Sequence, residues 1–476
     1  VAPDPSPAAH RLTFTVLAVG VTAFSLVQSL IIPVMGGLAR QYGTDPATIT
    51  WLLTAYLMSA SVCTPILGRL GDAWGKNRVL VGCLTVLAVG CAVSALAPDL
   101  GWLITGRAVQ GVGGGILPVS FGIIRDEFPP ENRPFAIGFV SSLLAFGIGC
   151  GTVVAGPIVD ALGYGALFWL PCLASAAAAV VAFRFVPPSP ARSRERISVL
   201  PAVLLATWLI MLVLAISEAP RWGWNSRTVL GLLAGAIVLL TVWVRVETTC
   251  RPPLIDLRLM RRPGVGAANL VALLTGFGLY AFSSLVPQLA QTSPAVAGFG
   301  LDFGAGESGL MMLPGCLLSF VAGLLAAPAA QRFGAKRLML IGALTGAAGT
   351  ALLVFRHDQA WHLYLGTSIN GFGIGLTLAL LANVVVATVP ASQTGVASGT
   401  NANLRTIGGA IGSGVLASVI AGSQNGAGVP TEEGYVHGFA VITCLLLAAG
   451  AAALSIPPLL QRDREARPAT ELASAS

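Results

Sequence analysis

Of 476 residues, 55% are hydrophobic and only 10% charged, and the mean hydropathy is +0.81. A soluble domain of this length carries roughly a quarter charged residues, so that class is excluded; a β-barrel is excluded by the lack of alternating strands of about ten residues. The net charge of +7 sits in short links between apolar runs rather than along one stripe, which argues against nucleic acid as a partner.

Fourteen runs reach the ~20 helical residues that cross hydrocarbon. In chain order they cover roughly 12–35, 48–68, 79–97, 101–124, 134–159, 164–186, 198–217, 228–247, 265–290, 307–330, 338–355, 360–387, 394–421 and 435–457. The run after Arg11 is too long for the apolar core of a secretory leader, so it is expected to stay as the first span. An even count puts both termini on one side, and the basic residues choose which. With the N-terminus cytoplasmic, 21 Lys and Arg fall inside and only Arg40, Arg221, Arg227 and Arg356 outside. The expectation is a multi-pass protein of the cell membrane, in contact with the lipid bilayer, with both termini cytoplasmic.

The link Gly68-Arg-Leu-Gly-Asp72-Ala-Trp-Gly75-Lys76-Asn-Arg78 has an echo at Ala330-Gln-Arg332-Phe-Gly334-Ala-Lys336-Arg337. Gly75 and Gly334 lie 259 residues apart. Gly106-Arg107-Ala-Val-Gln110-Gly111-Val-Gly113 reads against Gly366-Thr-Ser-Ile-Asn370-Gly371-Phe-Gly373, shifted by 260. Ordered markers at one offset indicate a duplicated unit, and duplicated membrane halves are a transporter design. Six spans per half would need a shorter offset. The excess predicts a pair of spans inserted between the halves, giving 1–196, 197–250 and 251–460, followed by a polar tail at 461–476.

These features resemble the major facilitator superfamily, in particular its fourteen-span drug:proton antiporter branch. The resemblance rests on Gly68-x-x-x-Asp72-x-x-Gly75-Lys76-x-Arg78, on Arg107-Ala-Val-Gln110-Gly111 in the fourth span, on Ser217-Glu218-Ala-Pro-Arg-Trp222-Gly223-Trp224 between the inserted spans, and on Ser398-Gly-Thr-Asn401-Ala-Asn403-Leu-Arg405-Thr-Ile-Gly408-Gly409. Departures stand at Ala73, at Thr152-Val-Val-Ala-Gly156-Pro157-Ile-Val-Asp160 in the fifth span, and at Phe24 and Ser29 in the first. The resemblance implies an all-α integral membrane fold of two six-helix bundles plus a central helix pair. It also implies proton-coupled export of amphipathic small molecules, and a role for Arg107 in proton transfer or coupling. A carrier for one metabolite or nutrient, and a receptor without turnover, are the competing readings. The expected partners are a small amphipathic substrate and protons, and the expected assembly is a monomer.

The residues add their own chemistry. Gly75-Lys76 lacks the rest of a phosphate-binding loop, and no strand precedes Gly111–Gly115, so no nucleotide cofactor is expected. The cysteines at 63, 83, 91, 150, 172, 250, 316 and 444 are scattered without histidine partners and read as packing residues, so no metal is expected. No nucleophile–base constellation appears, which disfavours an enzyme. A cation inside a span usually faces a cavity or a partner, which singles out Arg107. Asp72 and Arg78 read as a charge latch to a facing helix end. Asp160, Glu218 and Glu307 lie near outer ends of spans, and Asp160 and Glu307 are the candidate proton carriers. A central cavity is expected between the halves, lined by Gln28, Tyr56, Gln110, Tyr280, Asn370, Asn383, Asn401 and Asn403.

Overall fold

The computed structural model describes residues 7–44, 46–187, 198–250, 253–423 and 430–457. Among them fourteen long helices follow one another. In chain order they are α1 (Pro7–Ser29), α2 (Trp51–Trp74), α3 (Lys76–Ala95), α4 (Leu100–Glu127), α5 (Arg133–Leu162), α6 (Ala166–Phe185), α7 (Val199–Trp222) and α8 (Arg227–Thr249). Then come α9 (Pro263–Gln291), α10 (Ala305–Phe333), α11 (Ala335–Phe355), α12 (Ala360–Thr388), α13 (Thr394–Gly422) and α14 (Glu432–Ala453). Thirteen are long and apolar enough to cross a membrane. The other, α13, is 29 residues long but rich in Gly, Thr and Asn, and it packs between α2 and α9 in the interior. The predicted tail, and the arginines at 192, 194, 196 and 251, lie outside the described residues.

The runs were legible because each is apolar on nearly all sides and is stopped by a turn residue. Gly75 ends α2 and starts α3 at φ 107°, and Gly334 does the same between α10 and α11 at φ 84°. That region of backbone space costs a side chain about 1 kcal/mol or more, so glycine is the residue that lets two spans reverse without a loop. Two helices depart from the simple pattern. The chain breaks after Ser29 into a 3₁₀ turn at Ile32–Val34, where Pro33 withholds its N–H, and resumes as Met35–Gln41. Inside α4, Gly111–Gly115 tighten into a 3₁₀ stretch, because α2 approaches so closely that a side chain on Gly111 would meet Ser59 and Ala60.

The duplication is visible in contacts as well as in sequence. Gln110 Nε2 donates to the Gly90 carbonyl at 3.2 Å, and Asn370 Nδ2 donates to the Gly346 carbonyl at 3.2 Å. Each amide, on the fourth helix of its half, ties that helix to the third. Each half has its own apolar core, around Leu17, Leu84, Leu87 and Ile116 in the first and around Phe282, Leu285, Phe439 and Ile442 in the second. The halves meet most extensively along two seams, α2 against α13 and α5 against α10, with α4 against α13 and α5 against α12 beside them. Because α10 is the echo of α2 and α13 the echo of α5, the two seams are one contact repeated by the internal twofold. The inserted α7–α8 hairpin docks from outside on α2 and α13, with Leu205, Leu209 and Trp243 packed against Val396 and Ile407.

Candidate functional site

At the end of the bundle that carries Gly75 and Gly334, the halves are held together by polar contacts around the start of α13. Asp72 is fully buried, and its carboxylate accepts from the backbone N–H groups of Gly395 at 3.2 Å and Val396 at 3.0 Å. The first N–H groups of a helix lack partners within it and carry its positive dipole end. A charged acceptor there is worth roughly 1.5–3 kcal/mol per hydrogen bond. Arg125, at the end of α4, donates to the Val386 carbonyl and to Thr394 Oγ1, both at 2.8 Å. Asn383 Nδ2 donates across the seam to the Pro134 carbonyl at 3.1 Å. The backbones can come this close because the facing residues are Gly68 and Gly395: a Cβ on either would strike the other's carbonyl.

Arg107 occupies the interior of the first half with no exposure at all. Its Nε donates to the Leu52 carbonyl at 3.1 Å, and its Nη1 donates to the Val27 carbonyl and to Gln110 Oε1, both at 2.8 Å. The guanidinium lies 4.4 Å from the centre of the Tyr56 ring. Gln110 passes the chain on to Gly90 and Ser94. One cation thereby joins α1, α2, α3 and α4. The expected cavity-facing Arg107, Tyr56 and Gln110 are instead packed together as a buried polar core, because three acceptors and a ring face hold Nε, Nη1 and the guanidinium plane, while Nη2 and the Tyr56 hydroxyl have no hydrogen-bond partner among the described residues.

The halves are closed at the Asp72 end and meet along α5–α10 and α2–α13. Of the central cavity expected from the sequence, the described residues show a space of about 60 Å³ lined by Thr152, Phe282, Met312 and Asn370, and one of about 10 Å³ lined from both halves by Leu117, Phe121, Ser141, Ser398, Asn401 and Arg405. A larger recess of about 200 Å³ lies between α9 and α13, at Ser284, Gln288 and Ser413. Gln28 donates to the Tyr280 hydroxyl across the seam. Asn401 is anchored to the Ala268 carbonyl and Asn269 Oδ1. Asn403 is buried with its carbonyl oxygen unpaired.

Three candidates are not brought to this region. Arg78 and Asp160 are exposed, and exposed Glu307 turns back to accept from the Gly304 N–H at 3.0 Å, capping α10. The neighbouring Lys76, not Arg78, is the buried cation of that turn, paired with Asp126 at 2.7 Å. Of the three acids near outer span ends the structure buries only Glu218, which is 1% exposed with neither carboxylate oxygen hydrogen-bonded. The cation nearest it is Arg221 Nη1, at 3.8 Å. In the sequence it stands among the first residues of the Ser217–Trp224 link, just past the apolar run, where nothing local marks it for burial.

Comparison with known proteins agrees with this geometry. The family model described as Major Facilitator Superfamily matches residues 17–413 and 268–474. The chain is 25% identical to the tetracenomycin C resistance and export protein of Streptomyces glaucescens, over 86% of this chain and 76% of that one. It is 26% identical to an uncharacterized MFS-type transporter of Mycobacterium tuberculosis, covering 86% of this chain but spanning only 59% of the relative's length. The crystal structure of the human organic anion transporter MFSD10 superposes with a TM-score of 0.66 at 19% identity, over 94% of this chain and 100% of that one, a likeness of fold alone. Matched over most of its length, the chain belongs to the Major Facilitator Superfamily, in which the relatives named here are membrane transporters.

Proposed function

We propose that the protein is a proton-driven exporter of amphipathic small molecules, working by alternating access in the cell membrane as a monomer with cytoplasmic termini. Residues 1–196 and 251–460 are the two bodies that move, and 197–250 ride on the seam. The names of relatives, which include a resistance and export protein, support the direction of transport. The mostly apolar lining between the halves suits amphipathic solutes. The seam at Asp72 supports the mechanism, since a carboxylate on a facing helix end is a contact that can be made in one state and broken in the other.

The observation that carries proton coupling is Glu218. An ionised carboxylate held out of water with no hydrogen bond is costly, which makes buried Glu218 the acid best placed to exchange a proton during the cycle. Arg221 on the same helix is the one charged group acting on it among the described residues, and on either side of it in sequence α13 packs uncharged residues, Gly414 against Ile216 and Ser418 against Trp224. When α13 moves against α7, water reaches the carboxyl group, the proton leaves, and the anion is held by Arg221, which already lies 3.8 Å away. The test is everted vesicles, acidified inside, that carry the protein and are offered a panel of lipophilic dyes. The expected result is dye accumulation that nigericin collapses, and a Glu218→Gln variant that retains dye-for-dye exchange but loses gradient-driven accumulation. Accumulation indifferent to nigericin would overturn the reading.

A further inference from the structure

Arg405 is the twelfth residue of the 29-residue helix α13, about 17 Å along its axis and so near its middle. Unlike Arg107, it makes no hydrogen bond, ion pair or ring contact with any described residue. The titratable group acting on it is Tyr280, and that hydroxyl is already engaged by Gln28. Arg405 lines the small cavity shared by the two halves, and no acid lines it with Arg405. A second polar group lacks a partner there: Ser398, two turns earlier on the same face of α13, is 4% exposed with its hydroxyl unpaired, and it lines the same cavity. Ser141 and Asn401 also line it, but both already have partners in the Ile137 carbonyl, the Ala268 carbonyl and Asn269 Oδ1; the remaining lining is apolar, with Leu117, Phe121 and Leu144 from the first half and Leu378 and Leu381 from the second.

A guanidinium at mid-span is expensive unless something accepts from it, and its planar fork matches a carboxylate in two parallel hydrogen bonds. We infer that the transported molecule is an amphipathic acid: its anionic group, a carboxylate or an acidic enol or phenol, pairs with Arg405 and Ser398 while its apolar body lies against Phe121 and the leucines. This deepens the proposed export reading, on which it rests for the route the molecule takes. At about 10 Å³, the cavity admits such a ligand only when α2–α13 and α5–α10 part. The acid therefore binds in an open state, and in the closed state Arg405 is left without an anion, which favours release of the halves over staying empty and shut.

The test uses purified full-length protein in detergent, with no membrane and no gradient, so its result is independent of the energy source. Matched pairs of polycyclic aromatic carboxylic acids and their methyl esters are ranked by thermal shift and by fluorescence polarisation. The expected result is that the acids bind at least about tenfold more tightly than their esters. Arg405→Gln should abolish this preference, leaving acid and ester equal, while Arg405→Lys keeps part of it. Equal binding of acid and ester to the unaltered protein would overturn the inference. So would a preference that survives Arg405→Gln, stabilisation by chloride alone, or no stabilisation by any acid. Loss of proton coupling in the vesicle assay, with the acid preference intact here, would remove the proton-driven reading and leave this one standing.

Discussion

Two arginines lie within the spans, and the structure treats them in opposite ways. Arg107 is held by three hydrogen-bond acceptors and a tyrosine face and is fully buried. Arg405 has no hydrogen bond or ion pair among the described residues and faces the space between the halves. The same residue type is a rivet in one half and a waiting donor in the other. A charge inside a membrane protein is therefore a functional signal only after its partners have been counted.

The contrast is broken first at Arg107. Arg107→Ala leaves the Val27 and Leu52 carbonyls and Gln110 Oε1 without their donor, at about 1–3 kcal/mol each. Transport should vanish, and the melting temperature in detergent should fall by about 5–10 °C. Arg107→Lys should do nearly as badly, because an ammonium cannot serve the same planar set. An Arg107→Ala protein that transports normally would refute the rivet. The same melting measurement on Arg405→Gln sharpens the comparison: a shift within about 2 °C is expected, since no protein contact is lost.

Effects at the seam should be smaller. Gly395→Ala places a methyl group against the Gly68 carbonyl and the Asp72 carboxylate, so the halves cannot close at that end. Turnover should drop about tenfold or more with ligand binding retained, readable as transport rate against binding affinity. Asp72→Asn keeps an acceptor and removes the charge, costing about 1–2 kcal/mol of closure, which should slow turnover several-fold at unchanged affinity. The smallest effect is expected at the paired turns. Gly75→Ala and Gly334→Ala each force a side chain to positive φ, at about 1 kcal/mol, and should lower stability by similar amounts if the two turns are true equivalents.

Much of this architecture was legible in the chain. The apolar runs place each helix to within several residues, and the Gly75 and Gly334 echo becomes a pair of equivalent turns. The partners were not legible. Asp72 accepts from residues more than 300 positions away, and no local pattern encodes which helix start will face it. Asp160 and Glu307 attracted attention as acids near span ends, yet both remain exposed, while Glu218 is buried because the inserted hairpin docks on α13 through Trp224 and Ser418. Burial of that kind is decided by packing between distant elements. The same holds for Arg405, whose sequence surroundings mark a span but do not say that nothing will pair with it.

Closure of the halves at Asp72, and its reversal, underlies both the proposed export cycle and the proposed access of an acid to Arg405. The most direct measurement places spin labels at Trp74 and Phe333, exposed residues that end α2 and α10 on the two halves, and follows their separation by pulsed electron resonance. Two distance populations are expected, with the longer one growing in Asp72→Asn. A single separation, unchanged by that substitution, would contradict the account.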